Sequence, residues 1–213
     1  MSDDASWLVA GSSSPDEVRQ YYDQLAADYD ATLDRWGYAA PGRAAQLVMA
    51  RLGSAGAEAN LLDAGCGTGL AGAALRAAGY TGRLTGLDLS PTSLARAAER
   101  QVYDSLDIAD LQRPLAIGDD VFDGAICVGV LTYVPDVSGI WRQFCRVVRT
   151  GGVIVFTQRD DLWHDRTCGR ALDELERDHR WKVFHLSTPQ PYLPGNEDFG
   201  DRIGARFVGA TVR

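Results

Sequence analysis

The chain has 213 residues, 46% hydrophobic and 23% charged, which excludes a collagenous, low-complexity or wholly disordered polypeptide. Lys+Arg number 21 and Asp+Glu 29, and the resulting net charge of −8 argues against a nucleic-acid partner. Cys66, Cys127, Cys145 and Cys168 lack CxxC spacing and no histidine pair has ligand spacing, so neither a disulfide framework nor a metal site is expected, and a reducing, cytoplasmic setting follows. Lys182 is the only lysine, a codon bias that suggests a GC-rich bacterial genome. The acidic start at Met1–Asp4 is unlike a signal peptide, no apolar run approaches the roughly 20 residues of a membrane helix, and residues 1–13 read as a loose tail.

Ser14-Pro15-Asp16-Glu17 is a capping box, and Val18, Tyr21, Tyr22, Leu25, Tyr29 and Leu33 follow at helical period. After a break at Gly37–Gly42, a second helix is expected over Arg43–Leu52, so that residues 14–52 form a helical cap. Gly53–Asn60 is a small-residue linker. Apolar runs at Leu61-Leu62, Leu84–Leu89, Leu106–Ile108, Phe122–Val130 and Val153–Thr157 then alternate with helices near Leu70–Ala78, Pro91–Arg100 and Gly139–Val148. Such alternation implies an α/β fold with a parallel sheet covered on both faces, here over residues 53–157. The remainder, 158–213, reads as a loop, a helix at Ala171–His179, a strand at Trp181–Ser187, a Pro/Gly-rich loop and a last strand at Arg206–Val212. Those two strands are expected to pair antiparallel at one edge. No boundary between separate domains is apparent.

Asp63-Ala64-Gly65-Cys66-Gly67-Thr68-Gly69 joins the first strand to a helix through glycines at alternate positions. Glycine admits positive φ and lets a ligand approach the backbone, and the helix N-terminus offers amides. The spacing fails both the dinucleotide fingerprint and the P-loop. Asp88 ends the second strand about 20 residues on, where an acid can accept both hydroxyls of a ribose. Its other role, capping the next helix, is already filled by Ser90 with Pro91.

Asp63–Gly69, Asp88 and Phe122–Cys127 together resemble the class I S-adenosylmethionine-dependent methyltransferases, with the tyrosine-bearing segment before them similar to the cap of the small-molecule branch. Gly37–Pro41, Cys66–Leu70 and Val130–Val134 are similar to the Williams–Beuren-region methyltransferase-like proteins and their bacterial relatives. The resemblance spans roughly residues 18–160. It implies a Rossmann-like sheet of seven strands in the order 3-2-1-4-5-7-6 with the last antiparallel. It also implies S-adenosyl-L-methionine as cofactor. Gly65, Cys66, Gly67 and Gly69 would underlie its methionine part, with Asp63 facing the amino group. Asp88 would hold the ribose, and Leu89 would lie against adenine. Asp110, with Asp107 as the competing acid, would take the adenine amino group beside Leu111. Cys127 and Val128 would floor the site. Tyr29 would close the cap over the carboxylate, as would Tyr21 unless it merely packs in the core.

Methyl transfer from a sulfonium needs alignment, and a base only where the nucleophile must lose a proton. His164, after the fifth strand, is the first candidate base, Tyr133 the second, and no base the third. Arg159 is placed either to bind a substrate carboxylate or phosphate, or to form a surface salt bridge with Asp160 or Asp161. The absence of an Asn/Asp-Pro-Pro-Tyr motif at 127–130 disfavours adenine or glutamine amines. A small, partly apolar acceptor remains, held by the cap, the 158–166 loop and the 188–199 loop with Trp36, Tyr38, Trp163, Trp181, Tyr192 and Phe199. Oxygen, nitrogen and carbon acceptors stay open, as do oligomeric state and two other readings: a nicotinamide-dependent dehydrogenase and a non-catalytic cofactor-binding subunit.

Overall fold

The computed structural model describes residues 14–25, 28–53, 56–200 and 202–213; the expected tail at 1–13 and part of the 53–60 linker lie outside them. Among the described residues the first elements are three helices, α1 (Pro15–Leu25), α2 (Tyr29–Arg35) and α3 (Ala40–Leu52). They lead into β1 (Leu61–Ala64), α4 (Leu70–Ala77), β2 (Leu84–Asp88), α5 (Pro91–Glu99), β3 (Ser105–Ile108) and β4 (Phe122–Cys127). Next come α6 (Val137–Val147), β5 (Val148–Arg159), α7 (Asp160–Asp165), α8 (Cys168–Arg177), β6 (Trp181–Leu186), β7 (Gln190–Pro191) and β8 (Gly204–Val212).

The sheet runs β3-β2-β1-β4-β5-β8-β6, parallel through β5, with β8 antiparallel to both its neighbours. This is the expected order, shifted in number only by the two-residue β7 that pairs with β8. Alternation along β5 sorts its side chains: Val153 and Val155 join one core, Ile154 and Phe156 the other. On the Phe156 side, Trp141 of α6 and Trp181 pack with ring centroids 4.8 and 5.6 Å from Phe156 and Trp141 respectively. Each such fully buried aromatic contributes about 2–3 kcal/mol of burial free energy.

Several helices depart from expectation, α8 among them, which starts at Cys168 and not Ala171. α3 lies mainly against a face of the sheet, with its first turn near the sheet edge at Pro41. Its small buried face, Ala44, Ala45 and Val48, packs on Leu61, Ile126, Val155 and Phe207 in the second core. α6 begins two residues early because the Asp136 carboxylate accepts the Gly139 amide at 2.8 Å and caps it. The expected Ser90 cap is present, accepting the Ser93 amide at 2.9 Å with Pro91 in the first turn.

Candidate active site

Because β1 leads to β2 on one side and β4 to β5 on the other, the sheet has its switch point between β1 and β4, where open α/β sheets bind ligands. A cleft of about 920 Å³ lies there. The loops after β1, β2, β3 and β4 line it with Gly65–Thr68, Asp88-Leu89, Ala109–Gln112 and Val128–Val130. Helices α1 and α2 close its other side through Val18, Tyr22 and Tyr29.

The cap is fastened to the sheet by carboxylates. Ser90 Oγ donates to Asp23 Oδ1 at 2.5 Å, and Thr68 Oγ1 donates to Asp30 Oδ1 at 2.5 Å. Arg100 also donates to Asp30. These contacts tie α1 to the start of α5 and α2 to the glycine loop.

The glycine loop divides its labour. A Cβ at Gly65 would meet Val130 Cγ2 at 2.3 Å, so that glycine permits close packing across the switch point. Gly69, with φ +92°, starts α4 against Arg100 and Tyr103 and lies outside the cleft lining. Gly67 differs: φ is +53°, and a Cβ there would meet nothing within 4 Å, so it faces open cleft. The Gly67 amide donates to Asp88 Oδ2 at 2.8 Å and the Ser90 amide to Oδ1 at 2.9 Å. With up to four acceptor sites on the carboxylate, Asp88 keeps capacity for a ribose hydroxyl beyond these amides.

Asp63 lies under this loop, 1% exposed, and does not line the cleft. Tyr103 donates to its Oδ2 at 2.7 Å, while Oδ1 is buried without a hydrogen bond. Burial lifts its pKa to about 7, despite the opposing Tyr103 bond. An orphaned carboxyl oxygen beneath an open glycine cradle fits a ligand carrying an ammonium group above the loop, which would favour its ionised form without touching it. Burial likewise raises Asp88.

Among the other expected site residues, Tyr29, Leu89, Asp110, Leu111 and Val128 line the cleft with Cys66. Asp107 is exposed on β3, so Asp110 is the acid that reaches it. Cys127 is a core residue. Tyr21 packs with Leu33, Trp36 and Phe199, and its neighbour Tyr22 takes the cleft position.

Behind the cap tyrosines lies a second, much smaller cavity, lined by Tyr22, Tyr29, Tyr38, Tyr133, Arg159 and Tyr192 among others. A Cβ on Gly129 would meet the hydroxyls of Tyr38 at 2.6 Å and Tyr192 at 3.3 Å, so the loop after β4 packs closely against these two tyrosines. Tyr22 donates to Tyr133 Oη at 2.9 Å. Arg166 donates to the carbonyls of Leu131, Thr132 and Val134, fixing the turn that carries Tyr133.

Arg159 is not on the surface. It is 3% exposed, paired edge-on with Asp161 through Nε at 3.0 Å and Nη2 at 2.5 Å, and stands over the Phe199 ring. His164 is exposed on α7 and lines neither cavity. The segment expected as a substrate loop is this helix, which buries Trp163 and turns His164 outward. His164→Ala is therefore expected to change the turnover rate by less than about threefold, far below the loss for a general base; a loss of a hundredfold in single-turnover rate would restore it to the site. Trp163 and Trp181 are core residues and Trp36 packs behind the cavity, leaving Tyr38, Tyr192 and Phe199 of the expected aromatics along it. No helix among the described residues is long and apolar enough to cross a membrane.

A family model described as a methyltransferase domain matches residues 62–156. Human methyltransferase-like protein 27 is 31% identical over 191 residues, covering 82% of this chain and 74% of that protein. The ubiquinone biosynthesis O-methyltransferase of Pseudomonas entomophila is 33% identical over 101 residues, 46% of this chain, which spans under half (43%) of that relative. An S-adenosylmethionine-dependent methyltransferase from Mesorhizobium loti superposes with TM-score 0.62 at 22% identity, over 79% of this chain and 96% of that one. Similarity to the human protein over most of both chains, on a sheet of this order, shows that the chain belongs to the class I S-adenosylmethionine-dependent methyltransferases.

Proposed function

We propose that the protein methylates a small, partly apolar metabolite held against the tyrosines that face the cofactor cleft. The observation that carries this reading is that the two spaces adjoin, sharing Tyr22, Tyr29, Tyr38 and Tyr133 in their walls. An acceptor entering beside these tyrosines would abut a cofactor in the cleft.

S-adenosylmethionine supplies an electrophilic methyl group on a sulfonium. In this reading the glycine loop admits its methionine part at Gly67, and Asp63 offers charge to its ammonium. Asp88 holds the ribose hydroxyls, while Asp110 with Leu89 and Leu111 receives adenine. The cap tyrosines exclude water and orient the acceptor, which supplies most of the acceleration by proximity. Tyr133 is not a base in this reading, because burial raises its pKa and keeps the phenol protonated. The four free cysteines accord with a reducing, cytoplasmic setting.

The test is incubation of metabolite extract with methyl-labelled cofactor. Label is expected in a low-molecular-weight product identified by mass spectrometry. Label confined to protein or nucleic acid would overturn the acceptor reading.

A further inference from the structure

The dipeptide Tyr-Asp occurs twice in the cap, at Tyr22-Asp23 in α1 and at Tyr29-Asp30 in α2. In each pair the tyrosine lines the cleft and the aspartate does not. The aspartate, turned by about 100° from its neighbour on the helix, accepts a hydroxyl proton from the loops at the strand ends. Tyr22 and Tyr29 meet edge to face with ring centroids 5.6 Å apart, so the two pairs converge on one aromatic wall.

Both hydroxyls belong to buried residues, Ser90 and Thr68, that stand at the two amides holding Asp88. The Ser90 amide donates to Asp88 Oδ1, and the amide of Gly67, next to Thr68, donates to Oδ2. Ser90 Oγ accepts the Ser93 amide as the cap of α5, which leaves its proton for Asp23. Arg100 Nε donates to the Thr68 carbonyl at 2.6 Å, and the same guanidinium pairs with Asp30. A continuous path thus runs from Asp23 through Ser90, Asp88 and Gly67-Thr68 to Asp30. A buried hydroxyl that loses its acceptor costs free energy, so loops in this arrangement favour a seated cap. By linkage, a ligand that fixes the loops at Asp88 favours the seated cap as much as the cap favours the ligand.

We propose that Asp23 and Asp30 are positioning residues for the cofactor. They seat Tyr22 and Tyr29 over the cleft when the loops stand as Asp88 holds them, and so couple closure of the cap to occupancy of the cleft. This rests on the reading that the cofactor lies between those loops and the cap. Each carboxylate acts through the tyrosine before it.

The test is S-adenosylhomocysteine affinity, measured by calorimetry in two double-mutant cycles, Asp30→Ala with Tyr29→Ala and Asp23→Ala with Tyr22→Ala. Each aspartate variant is expected to weaken binding about five- to tenfold, as loss of a charge-assisted hydrogen bond at a partly exposed site does. On top of the tyrosine replacement, the same change is expected to cost less than about twofold. Asp30→Asn and Asp23→Asn, whose amide oxygens still accept the hydroxyl proton, are expected to restore binding to within about threefold. Hydrogen exchange on the unaltered protein needs no variant. S-adenosylhomocysteine is expected to slow the amides of α1 and α2 by about tenfold or more, along with those of the loops. A tie that only stabilised the fold would lower the melting temperature and leave both cycles additive. Additive cycles, unchanged affinity in either aspartate variant, or no slowing in α1 and α2 would each overturn the proposal. Failure of S-adenosylhomocysteine to bind the unaltered protein, or full affinity in Asp88→Ala, would instead overturn the placement of the cofactor in this cleft.

Discussion

Gly67→Val is expected to weaken S-adenosylhomocysteine binding by at least about a hundredfold while leaving a folded protein, because its cost falls on the cleft and not on the core. Gly67 sits at φ +53°, and a Cβ there would have no atom within 4 Å, in a stretch that lines the cleft. A β-branched side chain would fill the space the ligand must occupy and would strain the left-handed backbone by roughly 1–2 kcal/mol. Gly65→Ala provides the contrast. Its Cβ would meet Val130 at 2.3 Å, so that variant is expected to lose stability first. Asp88→Ala falls between: it removes the acceptor for the ribose and also the partner of the Gly67 amide. A loss of about 1.5–3 kcal/mol in binding is expected for it, since charge-assisted bonds are lost on both sides of the loop. Calorimetry for affinity and circular dichroism with thermal melts for folding separate these outcomes. An unchanged dissociation constant for Gly67→Val would remove the glycine cradle from the site.

The parts of the site that adjoin one another in the chain are legible in the sequence. Glycine spacing, a strand-ending acid and a capping Ser-Pro are local signals, and Gly67, Asp88 and Ser90 interact as neighbours at two strand ends. Positions decided by helical phase are not. Adjacent residues on a helix differ by 100° in direction, and Tyr21 and Tyr22 carry the same side chain. Only packing against Leu33 and Phe199 takes Tyr21 into the apolar group behind the cavity and leaves Tyr22 to the cleft. His164 departs from expectation for a related reason. Asp160-Asp161 in a first turn with His164 in the last is a helix signature, and the helix it forms carries the histidine away from the cleft. The pairing of Arg159 with Asp161 is within reach of the sequence, but its burial is not. That depends on Phe199, Tyr192 and Tyr133, brought from distant segments by the sheet order.

Replacing the buried acid below the loop, Asp63→Asn, is expected to change how stability depends on pH. The Asp63 pKa stands at about 7 in the folded protein, raised by burial from an ordinary value near 4. Between those two values the folded state keeps a proton that the unfolded state has lost, so this group makes stability fall as pH rises, by up to about 1.4 kcal/mol per pH unit. Below about pH 4 both states are protonated and the penalty vanishes; above about 7 both are ionised and it is complete. Burial also raises Asp88, which adds in the same direction. Asp63→Asn keeps the shape and an acceptor for the Tyr103 hydroxyl but cannot ionise. Relative to the unaltered protein it should gain on the order of 2–4 kcal/mol between pH 5 and pH 8 in urea unfolding. Two stability curves that run parallel across that range would show that Asp63 is ionised at low pH and that its environment is polar. The same proton links to the ligand. An ammonium placed beside Oδ1 would stabilise the carboxylate, so S-adenosylhomocysteine should bind more tightly at pH 8 than at pH 6, with a proton released on binding near pH 6. That release appears as a binding heat that depends on the ionisation enthalpy of the buffer, and Asp63→Asn should abolish it. A variant that still released the proton would place the titrating group elsewhere, with Asp88 the next carboxylate to replace.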